Sequence, residues 1–151
     1  MSSKTCFFIG HRDAEPHLLS QLQEVIEQHI VQYGVTDFVV GHYGNFDRMA
    51  TTALRNAKQQ HPHIRLWRLL PYHPAERPTE TPAGFDGTYY PEGLEKVPRR
   101  LAIIRANRIT IDNVDYLIAY AWQTASNAAD LVKYAQRREK QSKIKVTLLA
   151  K

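Results

Sequence analysis

Short apolar runs alternate along the chain with longer segments whose apolar residues recur at three- and four-residue steps. The short runs have the length and composition of buried strands, and the longer segments have the period of helices that bury one face. The predicted strands are Thr5–Ile9, Asp37–Val40, Ile64–Leu70, Asp115–Trp122 and Ile144–Ala150. Strands that alternate with helices pair in parallel under helices on both faces, so the pattern predicts a three-layer α/β fold.

The composition of the runs predicts the strand order. The first, second and fourth runs are almost wholly apolar, whereas the third carries Arg65 and Arg68 and the fifth alternates polar with apolar residues. Charged residues are typical of edge strands, where they discourage unwanted pairing. With right-handed crossovers, a five-stranded, mainly parallel Rossmann-like sheet in the order 3-2-1-4-5 follows. Its winding reverses between strands one and four, where a ligand crevice is expected at the carboxyl ends.

The 151 residues have the size of one domain, and we predict a single Rossmann-like domain over 1–151. Only the segment Pro71–Pro98, which is rich in proline, breaks the alternation. A long irregular segment inside a compact domain is more often functional or mobile than a plain connector. We predict an insertion at about 71–98, and three interpretations of it stay open: a lid over the crevice, a self-packed surface loop, or a contact with a partner subunit.

Charge and cysteine content narrow the class of protein. The chain has 20 Lys and Arg against 15 Asp and Glu, a net charge of +5, which favours anionic partners without singling out nucleic acid. The single cysteine, Cys6, cannot form an intramolecular disulfide. No apolar run approaches the roughly 20 residues of a membrane span. These features predict a cytoplasmic protein that does not engage a membrane.

Three loops and the helix before the fourth strand, which supplies Arg105, Asn107 and Arg108, are predicted to meet at the crevice. Glycines let a backbone approach a ligand closely, helix N-termini favour anions, and arginine adds bidentate donors, so the collection suits a phosphorylated ligand. Each part also has a structural explanation, since glycines end strands or form turns and Asn or Asp caps helices. The candidate ligand-binding residues are Gly10, His11, Arg12, Gly41, His42, Gly44, Asn45, Asp47, Arg105, Arg108 and Ser126.

Asp47 does not fit a plain phosphate cradle, because a carboxylate repels phosphate, and it suits a sugar hydroxyl or a base edge better. The Gly-x-Gly-x-x-Gly and Gly-Lys-Ser/Thr motifs are missing from the sequence, which disfavours an ordinary NAD enzyme or ATPase. The seven histidines do not complete a zinc set with the single cysteine. We therefore predict neither a metal nor a cofactor.

Four short motifs cover most of the chain outside 71–98. They are "CFFIGHR" at Cys6–Arg12, "GNFDRMA" at Gly44–Ala50, "RANRITIDNVDYLIAYAW" at Arg105–Trp122 and "SNAADLVKYA" at Ser126–Ala135. These motifs resemble those of the SLOG superfamily, which includes YpsA-like proteins, DprA and the Lonely Guy enzymes. The resemblance implies a Rossmann-like fold that binds nucleotides or nucleotide-derived ligands, with His11, Arg12, residues 44–47, Arg105 and Arg108 facing the pocket, and a homo-oligomer.

The first functional interpretation is a module that binds a small nucleotide-like ligand. The alternative is a hydrolase of an N-glycosidic or phosphoester bond in such a ligand. Asp47 would then be the acid/base or would stabilise the ribose, and His11 or His42 would carry a proton. The same residues serve binding and hydrolysis, so the sequence leaves open whether the protein is an enzyme. A second alternative, binding of single-stranded nucleic acid, is permitted by the charge but disfavoured, because aromatic residues are not interleaved with the basic C-terminal run.

Overall fold

The computed structural model describes residues 3–77, 80–123 and 126–151. Within these ranges, six strands form one sheet in the order β4-β3-β2-β1-β5-β6, and every neighbouring pair is parallel. The strands are β1 (Thr5–Gly10), β2 (Asp37–Val40), β3 (Arg65–Leu69), β4 (Gly87–Tyr89), β5 (Tyr116–Tyr120) and β6 (Lys145–Leu148). The helices are α1 (Leu18–Val31), α2 (Asn45–Gln60), α3 (Ala102–Asn113) and α4 (Asn127–Glu139). The predicted α/β class with a parallel sheet is confirmed.

The predicted count of five strands is wrong. The sixth strand, β4, lies inside the Pro-rich segment and pairs with β3, while the five predicted strands keep their relative order. β3 is therefore an inner strand, and Arg68, which we expected to mark an exposed edge, is only 7% exposed. β4 has three residues, too few to show a period. Its Gly87 is required by packing, because a Cβ there would lie 2.8 Å from the Trp67 ring.

Each face of the sheet has its own apolar core. α1 and α2 pack on one face, against Cys6 and Phe8 of β1, while α3 and α4 pack on the other, against Phe7 and Ile9. Successive side chains of a strand point to opposite faces, so a strand covered on both sides is apolar throughout. This accounts for the unbroken apolar run of β1 and gives the three layers.

Side chains close part of the free edge of β6. The N–H groups of Lys145 and Leu149 donate to β5, at the carbonyl oxygens of Asp115 and Ala119. The alternate N–H groups, which face away from β5, meet side chains instead: Val146 N–H donates to Glu139 Oε2 at 2.8 Å and Ala150 N–H to Gln21 Oε1 at 2.6 Å. Occupied N–H groups hinder edge-to-edge pairing with another sheet.

The described part of the Pro-rich segment is anchored to the sheet edge. Asp86 Oδ2 accepts hydrogen bonds from Leu66 N–H at 2.8 Å and from Lys58 Nζ at 2.7 Å. Phe85 packs against the core between the sheet and α1–α2, and Leu94 is buried on the other face. Residues 78 and 79 lie outside the described residues. The segment therefore extends the sheet and covers its edge.

Asp86 gives this anchor a pH dependence. Burial alone would raise the pKa of its carboxyl, but the hydrogen bonds from Lys58 and Leu66 N–H and the positive charges of Lys58 and Arg65 together outweigh burial and lower the pKa. A carboxylate with a lowered pKa in the folded state adds stability above its unfolded pKa, near 4, and loses that contribution as the pH falls through the folded pKa. We expect Asp86→Asn to lower the free energy of unfolding at pH 7 by about 1–2 kcal/mol.

Urea unfolding measured between pH 3 and 8 checks this expectation. The gap between the wild type and Asp86→Asn should close as the pH falls below about 4. Glu92→Gln, at an exposed position of the same segment, is the matched control and should follow the wild type throughout. A gap that stays constant over the whole pH range would contradict this role of Asp86.

Candidate ligand-binding site

A cavity of about 510 Å³ lies at the carboxyl end of β1, between the loops that follow β1, β2 and β5. The chain leaves β1 towards the α1–α2 face and leaves β5 towards the α3–α4 face, so the winding reverses there. Ligands of open α/β sheets bind at such a point. The volume falls within the range of about 300–1,000 Å³ that small-molecule sites occupy.

The cavity has an apolar side and a polar side. The apolar side comes mainly from α3, α4 and the end of β3, and includes Ile103, Ile104, Leu131 and Leu69. The polar lining comes mainly from the loops and helix starts, with Asn107 from the middle of α3; it includes Arg12, Asp13, Asp47, Asn107, Gln123, Ser126 and Asn127. A ligand that fills this cavity would contact both apolar and polar side chains.

Gly10 ends β1 beneath the first turn of α2. A Cβ at this position would lie 2.1 Å from the Phe46 ring, and Phe46 is 1% exposed, so the ring has no room to move away. The ring also stacks on Tyr120 of β5, with 6.3 Å between the ring centroids. Packing therefore explains why Gly10 must lack a side chain, and the same contact brings the start of α2 over β1 and β5.

Gly44 joins the loop after β2 to the loop after β1. Its φ of 131° favours glycine, and a Cβ there would lie 2.6 Å from the Cα of Arg12. Asn45 N–H donates to the carbonyl oxygen of Arg12 at 2.8 Å. Gly44 thus permits close contact between the two loops, although it does not itself line the cavity.

His11 joins the loop after β1 to the loop after β5. Its Nε2 accepts hydrogen bonds from Trp122 N–H at 2.7 Å and from Gln123 N–H at 3.1 Å, so the ring proton lies on Nδ1. Burial lowers its pKa, and the nearby Asp13 only partly opposes this. Since Nε2 is already occupied by two donors, His11 is suited to holding the loops together and is poorly placed to carry a proton through that atom.

Asp47 lies in the first turn of α2. Its Oδ2 accepts a hydrogen bond from Tyr43 N–H at 3.0 Å, which closes the turn. Burial raises the pKa of this carboxyl, while the Tyr43 N–H and the positive charge of Arg68 act in the opposite direction. Asp47 also lines the cavity. It therefore combines a structural hydrogen bond with a partly desolvated carboxyl facing the ligand space.

Ser126 begins α4 at the cavity. Its Oγ accepts a hydrogen bond from Ala129 N–H at 3.1 Å and donates to the carbonyl oxygen of Gln123 at 2.9 Å. This is an ordinary N-cap, and it sets the start of the helix against the polar side of the cavity. The partial positive charge of a helix N-terminus favours an anionic group nearby.

The structure brings six of the eleven candidate residues to the cavity and leaves five outside its lining. The six are Gly10, His11, Arg12, Gly41, Asp47 and Ser126. Of the others, His42 is exposed and stacks on Tyr43, and Asn45 Oδ1 accepts from Arg48 at 3.3 Å. Gly44 makes the loop contact described above.

Arg105 and Arg108 of α3 are not among the residues that line the cavity. Both are exposed, and the Arg108 guanidinium lies 4.4 Å from the centre of the Tyr134 ring. The helix lines the cavity with Ile103 and Asn107 instead. Asn107 was predicted to lie at the crevice, whereas Ile103 was missed. Residues four apart share a helix face, so the position of Asn107 was the available signal for Ile103.

Arg68 is the other residue that was missed. Its Nη1 donates to the carbonyl oxygen of Gly41 at 2.6 Å, in the loop that leads from β2 to the start of α2 and Asp47. The two-residue period of a strand gave the signal: Arg68 falls on the same face as the buried Leu66, whereas Arg65 falls on the other.

Comparison with known families and proteins gives no assignment. The chain matches no protein-family model and none of the curated proteins. Across the described residues, no three His, Cys, Asp or Glu side chains are grouped so that they could hold a metal ion. None of the described helices combines the length and apolar character needed to cross a membrane.

The contact between Gly10 and Phe46 gives a test of how the loops are held. We expect Gly10→Ala to lower the free energy of unfolding by about 1–3 kcal/mol, because the added methyl group overlaps a ring that cannot move. In a Phe46→Ala background the same change should cost much less. Urea unfolding of the two single variants and the double variant measures this coupling. Additive effects would contradict the packing explanation.

Proposed function

We propose that the chain is a SLOG-like module that binds a nucleotide in the cavity among the loops that follow β1, β2 and β5. The observation that carries this proposal is the presence, in one cavity, of an apolar side and a polar side with an arginine, carboxylates and a helix start. A nucleotide has the matching parts: a flat base, sugar hydroxyls and a phosphate.

The charges favour a ligand with a single phosphate group. Among the described residues, the lining includes the arginine Arg12 and two carboxylates, Asp13 and Asp47. Several phosphates would meet more negative than positive charge in this space. In the proposed arrangement the base lies on Ile103 and Ile104, a sugar hydroxyl donates to Asp47, and the phosphate lies near Arg12 and the start of α4.

A hydrolase is the second candidate, and the environment of Asp47 favours it. A carboxyl whose pKa is raised by burial holds its proton more readily than an ordinary carboxyl, which suits it to general acid or base catalysis. His11 contributes less to this candidate, because its Nε2 is occupied. Chromatography of nucleotides incubated with the protein separates the candidates: products that disappear with Asp47→Asn indicate a hydrolase, and intact ligand indicates a binding module.

Binding of single-stranded nucleic acid and formation of a homo-oligomer both stay predictions. Binding of single-stranded nucleic acid rests on the net charge of +5 alone. Homo-oligomer formation rests on the resemblance, to which the structure adds only exposed apolar side chains, among them Leu101, Ile104 and Trp122. Light scattering that finds a 17.4 kDa particle at high concentration would contradict the oligomer.

Thermal unfolding with a panel of AMP, nucleoside diphosphates, ADP-ribose, NAD and cyclic dinucleotides tests the proposed function. We expect AMP to stabilise the protein, by about 2.7 kcal/mol when present at about 100 times its dissociation constant. Arg12→Ala should weaken AMP binding at least about tenfold, because a charge-assisted contact is lost.

Arg105→Ala is the matched control. It removes the same charge from an exposed arginine of α3 that does not line the cavity, so AMP binding should be kept. The proposal fails if no nucleotide of the panel stabilises the wild type, or if Arg105→Ala weakens binding as much as Arg12→Ala.

A further inference from the structure

Arg68 is a buried cation beneath the loop after β2. It lies on β3 and is 7% exposed, and its Nη1 donates to the carbonyl oxygen of Gly41 at 2.6 Å. On the other side its guanidinium lies 4.7 Å from the centre of the Phe85 ring, which belongs to the Pro-rich segment. Arginine keeps its proton in proteins, so a full positive charge lies between the segment and the loop.

The stability of the core does not explain an arginine at this position. Within the described part of the chain, Arg68 Nε is buried and has no hydrogen-bond partner. A buried donor without a partner costs free energy, and an apolar side chain of similar volume often stabilises a fold as well or better. What Arg68 supplies beyond packing is the bond to Gly41 and a positive charge near Asp47.

We propose that Arg68 is a positioning residue for the candidate site, which fixes the Gly41–Asp47 loop through the Gly41 carbonyl oxygen and directs a positive charge at the Asp47 carboxylate. Its consequence for ligand binding rests on the proposed function. Its effect on Asp47 does not, because that effect is present in the ligand-free protein.

Phe85 links the Pro-rich segment to Arg68. Arg55 Nε donates to the carbonyl oxygen of Ala83 at 2.9 Å, and the Arg55 guanidinium lies 5.8 Å from the Phe85 ring centre, so α2 holds the segment where Phe85 faces Arg68. Among the described residues of 71–98, only Pro71 lines the cavity. In this proposal the described part of the segment acts on the site through Arg68.

The pKa of Asp47 is a direct measure of the proposed effect of Arg68. The Asp47 carboxyl accepts the Tyr43 N–H and is influenced by the positive charge of Arg68 on β3. The charge of Arg55 on α2 acts in turn on Arg68, and the charge of Arg68 acts on His42. Burial raises the pKa of Asp47, and Arg68 opposes that rise. Removing the positive charge should therefore raise the pKa further, so that Asp47 ionises at a higher pH.

The test is an NMR titration of the Asp47 carboxyl in the ligand-free protein, with AMP affinity measured by calorimetry at the same pH values. We expect Asp47 to titrate at a higher pH in Arg68→Met than in the wild type, and AMP affinity at pH 7 to fall about tenfold. Affinity should recover partly as the pH rises and Asp47 ionises. Arg68→Lys should restore both properties, and Phe85→Leu should change both in the same direction by a smaller amount.

Arg68→Gln separates charge from hydrogen bonding, and it serves if Arg68→Met does not fold. It keeps a donor for Gly41 but has no charge, so Asp47 should again titrate at a higher pH than in the wild type. The inference is overturned if Asp47 titrates unchanged in both uncharged variants, or if Arg68→Lys behaves like them. A shifted titration in a protein that does not bind AMP would support the role of Arg68 and count against the proposed function.

Discussion

The contact between the Phe46 ring and the backbone of Gly10 is the constraint on which the candidate site depends. Phe46 lies in the first turn of α2, and its ring covers the end of β1 and stacks on Tyr120 at the end of β5. The ends of β1 and β5 are therefore joined to the start of α2 by one buried aromatic side chain. The bonds from the backbone of Trp122 and Gln123 to His11, and from Asn45 to the carbonyl of Arg12, add to the same arrangement. A cavity at this place follows from how the strand ends are tied together.

This arrangement separates the polar groups into two kinds. His11 and Ser126 have hydrogen-bond partners within the protein, and these bonds fix the loops. Asp47 has a bond to Tyr43 and also faces the cavity, while Arg12 lines the cavity and is exposed. A rigid frame with few side chains turned to the ligand space is typical of sites that select ligands by shape and charge. In the proposed function, Arg12 and Asp47 are the groups that contact the ligand.

Much of this arrangement could be predicted from the sequence, because the carboxyl ends of parallel strands must meet at one edge of the sheet. That rule places Gly10, Arg12, Gly41 and Asp47 together once the strands are known. β4 could not be found, because three residues carry no period. Arg105 and Arg108 were predicted to line the crevice. Which residues of α3 meet the cavity depends on side-chain contacts in three dimensions, and the sequence pattern did not supply those contacts.

The burial of Arg68 could not be predicted from the sequence for a different reason. A charged residue in an apolar run indicates an exposed edge only if no further strand covers it, and here β4 and Phe85 do. The burial of Arg68 thus depends on a segment more than ten residues later in the chain, which is a tertiary contact that local patterns do not report.

The central claim is that the ligand binds among the loops that Phe46 holds together. NMR mapping of backbone amide shifts during titration with AMP tests it most directly. The account predicts that the largest changes fall on residues that line the cavity, such as Gly10, Gly41 and Ser126. Changes concentrated instead at Trp67, Thr88 and Tyr89, which line a second cavity of about 340 Å³, would contradict it.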